Sequence, residues 1–231
     1  MSEITPAEWT AILLSLRVAV VATLVATPFG IALAWLLARR EFWGKSILDA
    51  AVHLPLVLPP VVTGYLLLLT LGRRGLVGAW LADNLGIVFA FRWTGAALAC
   101  GVMSFPLLVR PIRLSIEAID RRLEQAASTL GAEPWRVFAT VTLPLALPGI
   151  LAGMVLGFAK AIGEFGATIT FVSNIPGETQ VISSAIYSLI QTPDGDAAAM
   201  RLVLISIVIA MAALIGSEWF ARRATQRLHG N

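Results

Sequence analysis

Residues 123–144 read LEQAASTLGAEPWRVFATVTLP, and they join two long runs without charged side chains, at 93–109 and 137–159. Apolar residues before and within this stretch recur at the spacing of one helix face, namely Ile116, Ile119, Leu123, Ala127 and Leu130. Charged residues occupy the other faces, which is typical of an amphipathic helix. Gly131 stands where a helix C-terminal cap belongs, and Pro134 suits the first turn of a second helix. The stretch therefore predicts a helix, a glycine turn and a second short helix that connect two membrane spans. Taken alone, the first helix fits a position on the membrane surface as well as a docking element.

The composition of the whole chain indicates a membrane protein. Of its 231 residues, 58% are hydrophobic and 13% are charged, whereas a soluble domain carries about 25% charged residues. Together with a mean hydropathy of +0.82, these fractions exclude a disordered chain, a nucleic-acid-binding module and an ordinary cytosolic enzyme. The single cysteine, Cys100, excludes an internal disulfide, and no Cys/His spacing predicts a metal site. Residues 1–10 contain no Lys or Arg, so we expect the first apolar segment to remain in the mature protein rather than to act as a signal peptide.

Five apolar segments are long enough to cross a bilayer, which takes about 20 mostly apolar residues. No Asp, Glu, Lys or Arg occurs at 18–38, 50–72, 93–109, 137–159 or 202–217. With their flanking residues, these runs predict spans at roughly 12–38, 50–72, 93–112, 143–166 and 200–220, and a cytoplasmic loop at 113–142. The predicted fold is an all-α integral membrane protein with about five transmembrane helices, in a single domain over residues 1–231.

Positive charges indicate the orientation, because short cytoplasmic loops carry an excess of Lys and Arg. With an external N-terminus, the internal segments hold most of these residues, namely Arg39, Arg40, Lys45, Arg110, Arg113, Arg121, Arg122, Arg136, Arg222, Arg223 and Arg227. The external loops hold Arg73, Arg74, Arg92 and Arg201. We therefore predict an external N-terminus and a cytoplasmic C-terminus.

The segment at 165–193 is only weakly apolar and is interrupted by Asn174, Pro176, Gly177 and Glu178. We expect a loop with a short helix at the membrane surface rather than a sixth crossing, and a re-entrant loop stays open as an alternative. A sixth crossing would also carry the C-terminal arginines to the external side, against the charge distribution.

Two nearly identical hexapeptides open the second and fourth spans, LPLVLP at 54–59 and LPLALP at 143–148. In each, the second proline removes a backbone hydrogen bond and is expected to bend the helix. One interpretation is a pair of hinged helix entrances beside a pathway that opens and closes. The alternative is two ordinary helix starts in a proline-tolerant membrane protein.

The fourth span carries Gly149, Gly153 and Gly157 at intervals of four, which predicts a ridge that a neighbouring backbone approaches closely. Beyond this ridge, Lys160 and Glu164 stand one helical turn apart, within reach of each other. Because intramembrane charges tend to face protein or a water-filled cavity, the pair is either a self-neutralising structural contact or part of a pathway.

The residues of the predicted loop resemble a known signature. Glu124, Ala126 and Ala127, then Gly131, and then residues 143–144 (Leu-Pro) resemble the EAA signature of ABC importer permeases, with Gln125 where an alanine is usual. Residues 54–65 (LPLVLPPVVTGY), 72–75 (GRRG) and 163–179 (GEFGATITFVSNIPGET) are similar to permease subunits of molybdate importers. Sulfate and thiosulfate permeases share a Gly-Glu-Phe-Gly run, and tungstate permeases are a further possibility.

The resemblance implies a binding-protein-dependent permease of the type I ABC importer fold, which moves molybdate across the bacterial inner membrane from the periplasm. In that family the glycine turn belongs to the coupling helix that seats in a separate ATPase subunit. The expected ATPase-coupling residues are Glu124, Ala126, Ala127, Gly131, Pro134 and Trp135. The expected translocation-path residues are Ser104, Lys160, Gly163, Glu164, Phe165, Gly166, Thr168 and Thr170. No catalytic or metal-binding residue is expected.

The chain is not expected to hydrolyse ATP or to hold a cofactor of its own. Its Gly-Lys-Ser at 44–46 has Arg39 where the phosphate-binding loop needs its first glycine. Five helices are also few to enclose a pathway, whereas two copies about a two-fold axis form one between them. The expected partners are a second copy of the chain, two ABC ATPase subunits and a periplasmic oxyanion-binding protein.

Two other classes of function receive less support. An ion-coupled secondary transporter needs coupling charges near the bilayer midplane. A membrane anchor of an oxidoreductase usually provides axial haem ligands, yet the histidines are His53, at the start of a span, and His229, in the tail. The choice among molybdate, tungstate and sulfate stays open, because the selective pocket is expected in another polypeptide.

Overall fold

A computed structural model describes the backbone of residues 4–229 and the side chains up to residue 216. Every regular element over this range is helical. The helices are α1 (Pro6–Arg39), α2 (Lys45–Val57), α3 (Pro60–Leu71), α4 (Leu76–Leu85), α5 (Trp93–Glu117), α6 (Arg121–Thr129), α7 (Pro134–Val137), a π-helical turn (Phe138–Thr142), α8 (Leu143–Ile162), α9 (Gly166–Val172), α10 (Ile182–Leu189) and α11 (Asp196–His229).

The long helices account for the predicted spans. Among the described residues, four segments are long and apolar enough to cross a membrane, namely Pro6–Arg39, Trp93–Glu117, Pro134–Ile162 and Asp196–Gly216. The helices α2 and α3 make a fifth span if the pair is counted as one, with a bend of 114° between them. The prediction of an all-α membrane protein with about five spans is thus confirmed. The side chains of Arg222, Arg223, Arg227 and His229 lie outside the described part of the chain.

The two proline hexapeptides behave differently. In the first, Leu58 (ψ 143°) and Pro59 (ψ 133°) are both extended, which ends α2 and starts α3. Each of these residues precedes a proline, Pro59 or Pro60, and the ring of a following proline disfavours the helical conformation. In the second copy, α8 continues through Pro148. The residue after Pro148 is Gly149 and not another proline. The second span is therefore sharply broken at its hexapeptide, as one interpretation predicted, whereas the fourth continues as a helix across Pro148.

Helix α5 is the centre of the bundle, with α1 and α8 packed along it. A Cβ atom added at Gly149 would lie 2.3 Å from Ser115 Cβ, and one at Gly153 would lie 2.5 Å from the Leu108 carbonyl oxygen. Such distances leave room only for glycine, so the predicted close-packing ridge on α8 is confirmed, and α5 is its partner. Leu108 and Ile112 of α5 are fully buried in the resulting core.

The first helix of the segment at 165–193 is packed inside the fold, whereas residues 175–178 and 190–193 are exposed. This helix, α9, lies against α3 and α5, and Ala167, Phe171 and Val172 have no exposed surface. A Cβ atom added at Gly64 of α3 would lie 2.5 Å from the Ala167 carbonyl oxygen, so the two backbones nearly touch. The expectation of a surface helix is corrected on this point, because the apolar residues of α9 face neighbouring helices on more than one side.

Candidate functional site: the elbow and its contacts

The helix–turn–helix connection between α5 and α8 is present, and we name residues 121–142 the elbow. Asp120 caps its first helix, α6, because its carboxylate accepts a hydrogen bond from the Arg122 backbone N–H at 2.9 Å. Gly131 follows α6 with φ +86°, a left-handed conformation that suits glycine. Pro134 occupies the first turn of α7. The predicted glycine turn and second short helix are thus confirmed.

The predicted amphipathic helix is shorter than its apolar pattern suggested. Ile116 belongs to α5 and Ile119 to the link before α6, and both side chains are buried. The break falls at Asp120, whose carboxylate starts a new helix in place of continuing the old one. The apolar period therefore spans two helices with different surroundings: Ile116 and Ile119 are buried, whereas Leu123 and Leu130 of the elbow are exposed.

The elbow continues into α8 without a loop. The π-helical turn, Phe138–Thr142, joins α7 to α8, and the Leu143 N–H bonds to the carbonyl of Phe138, five residues back. Pro144 has no N–H to offer to the preceding turn, so a wider turn at this point loses less hydrogen bonding. Residues Pro134–Ile162 consequently form one rod of 29 residues. A displacement of the elbow is therefore expected to move α8 with it.

Glu124 has its cationic partner within the chain. Arg39, at the end of α1, places its Nε 3.2 Å from Oε1 and 3.1 Å from Oε2 of Glu124. The Thr142 hydroxyl donates to Glu124 Oε1 at 2.7 Å. Both carboxylate oxygens are thus engaged within the chain in this conformation, and the expected role of Glu124 in ATPase coupling stays a prediction. The sequence analysis missed Arg39 and Thr142, since nothing local links positions so far apart along the chain.

The apolar residues of the elbow are uncovered. Leu130 is 90% exposed and Trp135 is 62% exposed, and Ala126, Gly131 and Pro134 are also exposed, whereas Ala127 is half-buried. Such side chains on one protruding turn are typical of a surface that a partner covers. Of the six expected coupling residues, Ala126, Gly131, Pro134 and Trp135 are exposed on this surface, Ala127 is half-buried, and Glu124 faces inward.

A groove of about 520 Å³ runs beside the elbow. Its lining includes Arg40, Arg121, Gln125 and Ser128. Nearby, a hydrogen bond from Lys45, with added attraction from Arg121 and Arg113, lowers the pKa of the exposed Glu41 carboxyl. The elbow end of the bundle is therefore rich in positive charge.

At the opposite end of α8, the expected ion pair is present. Lys160 Nζ lies 2.7 Å from Glu164 Oε2, and the Glu164 side chain is 1% exposed. Glu164 Oε1 also accepts a hydrogen bond from the Ala167 N–H at 3.0 Å, and the Ser183 hydroxyl donates to its carbonyl at 2.7 Å. Glu164 thus fastens α8, the start of α9 and α10 together, which favours the structural interpretation of this residue.

Three other expected path residues take part in contacts within the helix bundle. Ser104 and Thr168 are each 1% exposed, and their hydroxyls donate to backbone carbonyls of Gly101 and Phe165. Both hydroxyls are therefore engaged with the backbone in this conformation, and the expected contact of these residues with an anion stays a prediction. A Cβ atom added at Gly166 would lie 2.7 Å from Pro60 Cβ, which assigns Gly166 to the contact with α3.

The remaining path candidates are partly accessible. Phe165 and Thr170 are half-buried, and Gly163 is exposed. The Phe165 ring lies 5.1 Å from that of Tyr187, between ring centroids, and Thr170 donates its hydroxyl to Gly166 at 2.8 Å. Lys160 keeps 29% of its side chain exposed. These residues stay candidates for the path.

An apolar cavity that the sequence analysis did not anticipate lies between α1, α2 and α5. It measures about 720 Å³, and Val25, Phe29, Pro55 and Phe105 are among its lining residues. Val25 and Phe29 are 58% and 65% exposed, so the cavity is an open groove on the surface of the single chain, with α1 as one wall.

Replacing Glu164 with alanine is expected to destabilise the protein by about 1–3 kcal/mol, because the Ala167 N–H and the Lys160 ammonium both lose a buried partner. The measurement is the apparent Tm of the detergent-solubilised protein. Glu178→Ala is the matched control, since Glu178 is an exposed glutamate in the same connecting region. An equal Tm for Glu164→Ala and the wild type would contradict the structural role.

Comparisons with known proteins identify relatives along the whole chain. Residues 26–226 match the family of binding-protein-dependent transport system inner membrane components. The molybdenum transport system permease protein ModB of Escherichia coli (strain K12) is 62% identical over 224 residues, which are 97% of this chain and 98% of that protein. Its namesake in Haemophilus influenzae is 57% identical over 221 residues, 96% of each chain. A probable sulfate transport system permease protein, cysT of Chlorella vulgaris, is 37% identical over 82% of this chain and 71% of its own length.

Solved structures share the fold. A bacterial alginate ABC transporter, in complex with alginate pentasaccharide-bound periplasmic protein, contains a chain with a TM-score of 0.76 and 20% identity, covering 96% of this chain and 81% of that one. A chain of the MetNI methionine ABC transporter, in inward-facing conformations, has a TM-score of 0.70 and 14% identity, covering 97% and 99%. With a family match over most of its length, the protein belongs to the inner membrane components of binding-protein-dependent transport systems.

Proposed function

We propose that the chain is the permease subunit of an ATP-driven importer of molybdate. The assignment of molybdate as the substrate rests on the 62% identity, over almost the full length of both chains, to a molybdenum transport permease. Tungstate, nearly equal to molybdate in size and charge, is the first competitor. Sulfate is the second competitor, since more distant relatives are probable sulfate permeases.

The elbow is the proposed docking site for an ATPase subunit. The support is its exposed apolar surface at Leu130 and Trp135 and its direct continuation into α8. Ala126 and Ala127 allow close approach, Gly131 permits the turn, and Pro134 starts the helix that leads into the membrane. Closure of the ATPase dimer on ATP would displace the elbow, and α8 would tilt with it against α5 between two packed arrangements.

We further propose a homodimer with two ATPase subunits on the cytoplasmic side and an oxyanion-binding protein on the periplasmic side. The concentration of Arg39, Arg40, Lys45 and Arg121 at the elbow end supports a cytoplasmic elbow, a periplasmic N-terminus and a cytoplasmic C-terminus. ATP binding and hydrolysis belong to the partner, so this chain needs no catalytic site.

The proposed path for the anion passes the end of α8. Lys160, Gly163, Phe165 and Thr170 keep accessible surface there, and a tetrahedral dianion can be held by N–H groups and hydroxyls as well as by a cation. Glu164 holds Lys160 in place rather than contacting the anion, since its negative carboxylate would repel a dianion. Weak contacts suit a carrier, because tight binding slows release.

The test is uptake into vesicles that contain the permease, its ATPase subunit and ATP, with the cognate binding protein outside. Labelled molybdate, tungstate and sulfate are compared, and we expect ATP-dependent uptake of molybdate well above that of sulfate. Uptake of sulfate alone would favour the sulfate assignment. Uptake by the permease without the ATPase, driven by an ion gradient, would contradict the proposal.

A further inference from the structure

Arg39 is the last residue of α1, and its side chain reaches across to the elbow. Its guanidinium contacts Glu124 through Nε at 3.1 Å, and its Nη2 donates to the Ile119 carbonyl at 3.3 Å. The Arg39 side chain is 9% exposed and that of Glu124 is 19% exposed. An arginine held this far from water depends on its partners, since losing one leaves a charge without compensation.

Three segments meet at Glu124. Arg39 brings the end of α1, Thr142 brings the start of α8 with a 2.7 Å hydrogen bond, and Glu124 itself belongs to α6. One turn before Arg39, Trp35 packs edge-on against Phe138, with 5.9 Å between ring centroids. A polar contact and a neighbouring aromatic contact thus both join α1 to the elbow.

Helix α1 is also tied to the core of the bundle. Ala34 and Leu37 have no exposed surface, and a Cβ atom added at Gly30 would lie 2.0 Å from Leu108 Cδ2 of α5. Further along the same helix, Val25 and Phe29 line the apolar cavity. A movement imposed on the end of α1 is therefore passed to one wall of that cavity, because closely packed helices shift as units.

We propose that Arg39 is a positioning residue that links the elbow to α1, so that α1 moves together with α8 when ATP is bound. This inference rests on the proposed ATPase docking at the elbow. The elbow then moves both α1 and α8, which lie on either side of α5, rather than α8 alone. Glu124 is the contact that these two helices share. Loss of Arg39 leaves the exposed docking surface intact and removes the ion pair that connects the elbow to α1.

Arg40 provides the matched control. It has the same charge at the next position, but it is exposed and its guanidinium lies 5.7 Å from the Trp35 ring centroid. It forms no ion pair with the residues that the structure describes. Arg40→Gln therefore removes the same charge from the elbow end without removing the ion pair between Arg39 and Glu124.

The experiment uses the permease in complex with its ATPase subunit, in vesicles, with Phe29→Cys as a reporter on α1. The native Cys100 is 1% exposed and is replaced by alanine. The rate of maleimide labelling at position 29 is measured with and without ATP, in the Arg39→Gln, Arg40→Gln and parent proteins. Molybdate uptake per ATP hydrolysed and the amount of co-purified ATPase subunit are recorded in parallel.

We expect ATP to change the labelling rate in the parent and in Arg40→Gln, and that change to be lost in Arg39→Gln. Uptake per ATP should fall about three- to thirtyfold in Arg39→Gln alone, with the ATPase subunit retained, and Arg39→Lys should restore part of it. A normal ATP response in Arg39→Gln, an equal loss in Arg40→Gln, or loss of the ATPase subunit would overturn the inference. Absence of molybdate uptake in the parent would instead refute the proposed substrate, since the labelling response does not depend on the transported anion.

Discussion

Replacing Gly131 with valine is expected to lower both transport and the transport-stimulated ATPase rate by about tenfold or more, while membrane insertion stays normal. Gly131 has φ +86°, and a side chain in the left-handed region costs about 1–2 kcal/mol, more for a branched one. The cheapest relief is a change in the turn itself, because no atom lies within 4 Å of the added Cβ to resist it. The turn would then present Leu130 and Pro134 in a different relative orientation, and docking would suffer.

The structure offers a close control for this variant. Gly86 also has a positive φ, +66°, and an added Cβ there would likewise meet nothing within 4 Å, but it follows α4, away from the elbow. Gly86→Val should bring a comparable local strain without the loss of coupling, and Gly131→Asn should retain activity, since asparagine tolerates this conformation. Uptake and ATPase rates in vesicles, normalised to inserted protein, are the measurement. Equal losses in Gly86→Val and Gly131→Val would contradict a specific role of the elbow.

Replacing Gly149 with alanine is expected to destabilise the protein by about 1–3 kcal/mol. The added methyl would lie 2.3 Å from Ser115 Cβ and 2.6 Å from the Pro111 carbonyl oxygen. Relief requires α5 and α8 to separate, and the contact between these helices is the centre of the bundle. The measurement is the apparent Tm and the yield of folded protein after solubilisation.

Gly157→Ala is the control on the same ridge. The nearest atom to its added Cβ is Leu108 Cδ1 at 3.6 Å, an ordinary van der Waals distance. We expect an unchanged or slightly raised Tm, because alanine favours the helix over glycine. If Gly149→Ala were as stable as Gly157→Ala, the close approach of α8 to α5 would be refuted.

The elbow and the spans were accessible from the sequence because their signals are local. Runs without charged residues indicate membrane spans, and Gly131 and Pro134 indicate a turn. Glycines spaced by four indicate a close contact with another helix. The break after Leu58 was local as well, since the adjacent prolines at 59 and 60 distinguish that hexapeptide from the one at 143–148.

The candidate site was only partly accessible in this way. The pattern located the elbow, but it could not indicate that Glu124 turns inward to Arg39, 85 positions away. Hydroxyl-bearing residues such as Ser104 and Thr168 were plausible path residues by chemistry. Their burial depends on neighbouring helices, which no periodicity within their own segment reports.

By itself, the sequence determined that the chain is an all-helical membrane protein with about five spans and a helix–glycine–helix elbow between two of them. Composition and short-range spacing suffice for this, because membrane insertion and turn formation depend on residues close together in the chain. Only the tertiary structure decided that α9 is packed inside, that Glu164 fastens three helices, and that the end of α1 is joined to the elbow. These features come from contacts between distant segments, where burial and partner choice depend on how the helices assemble.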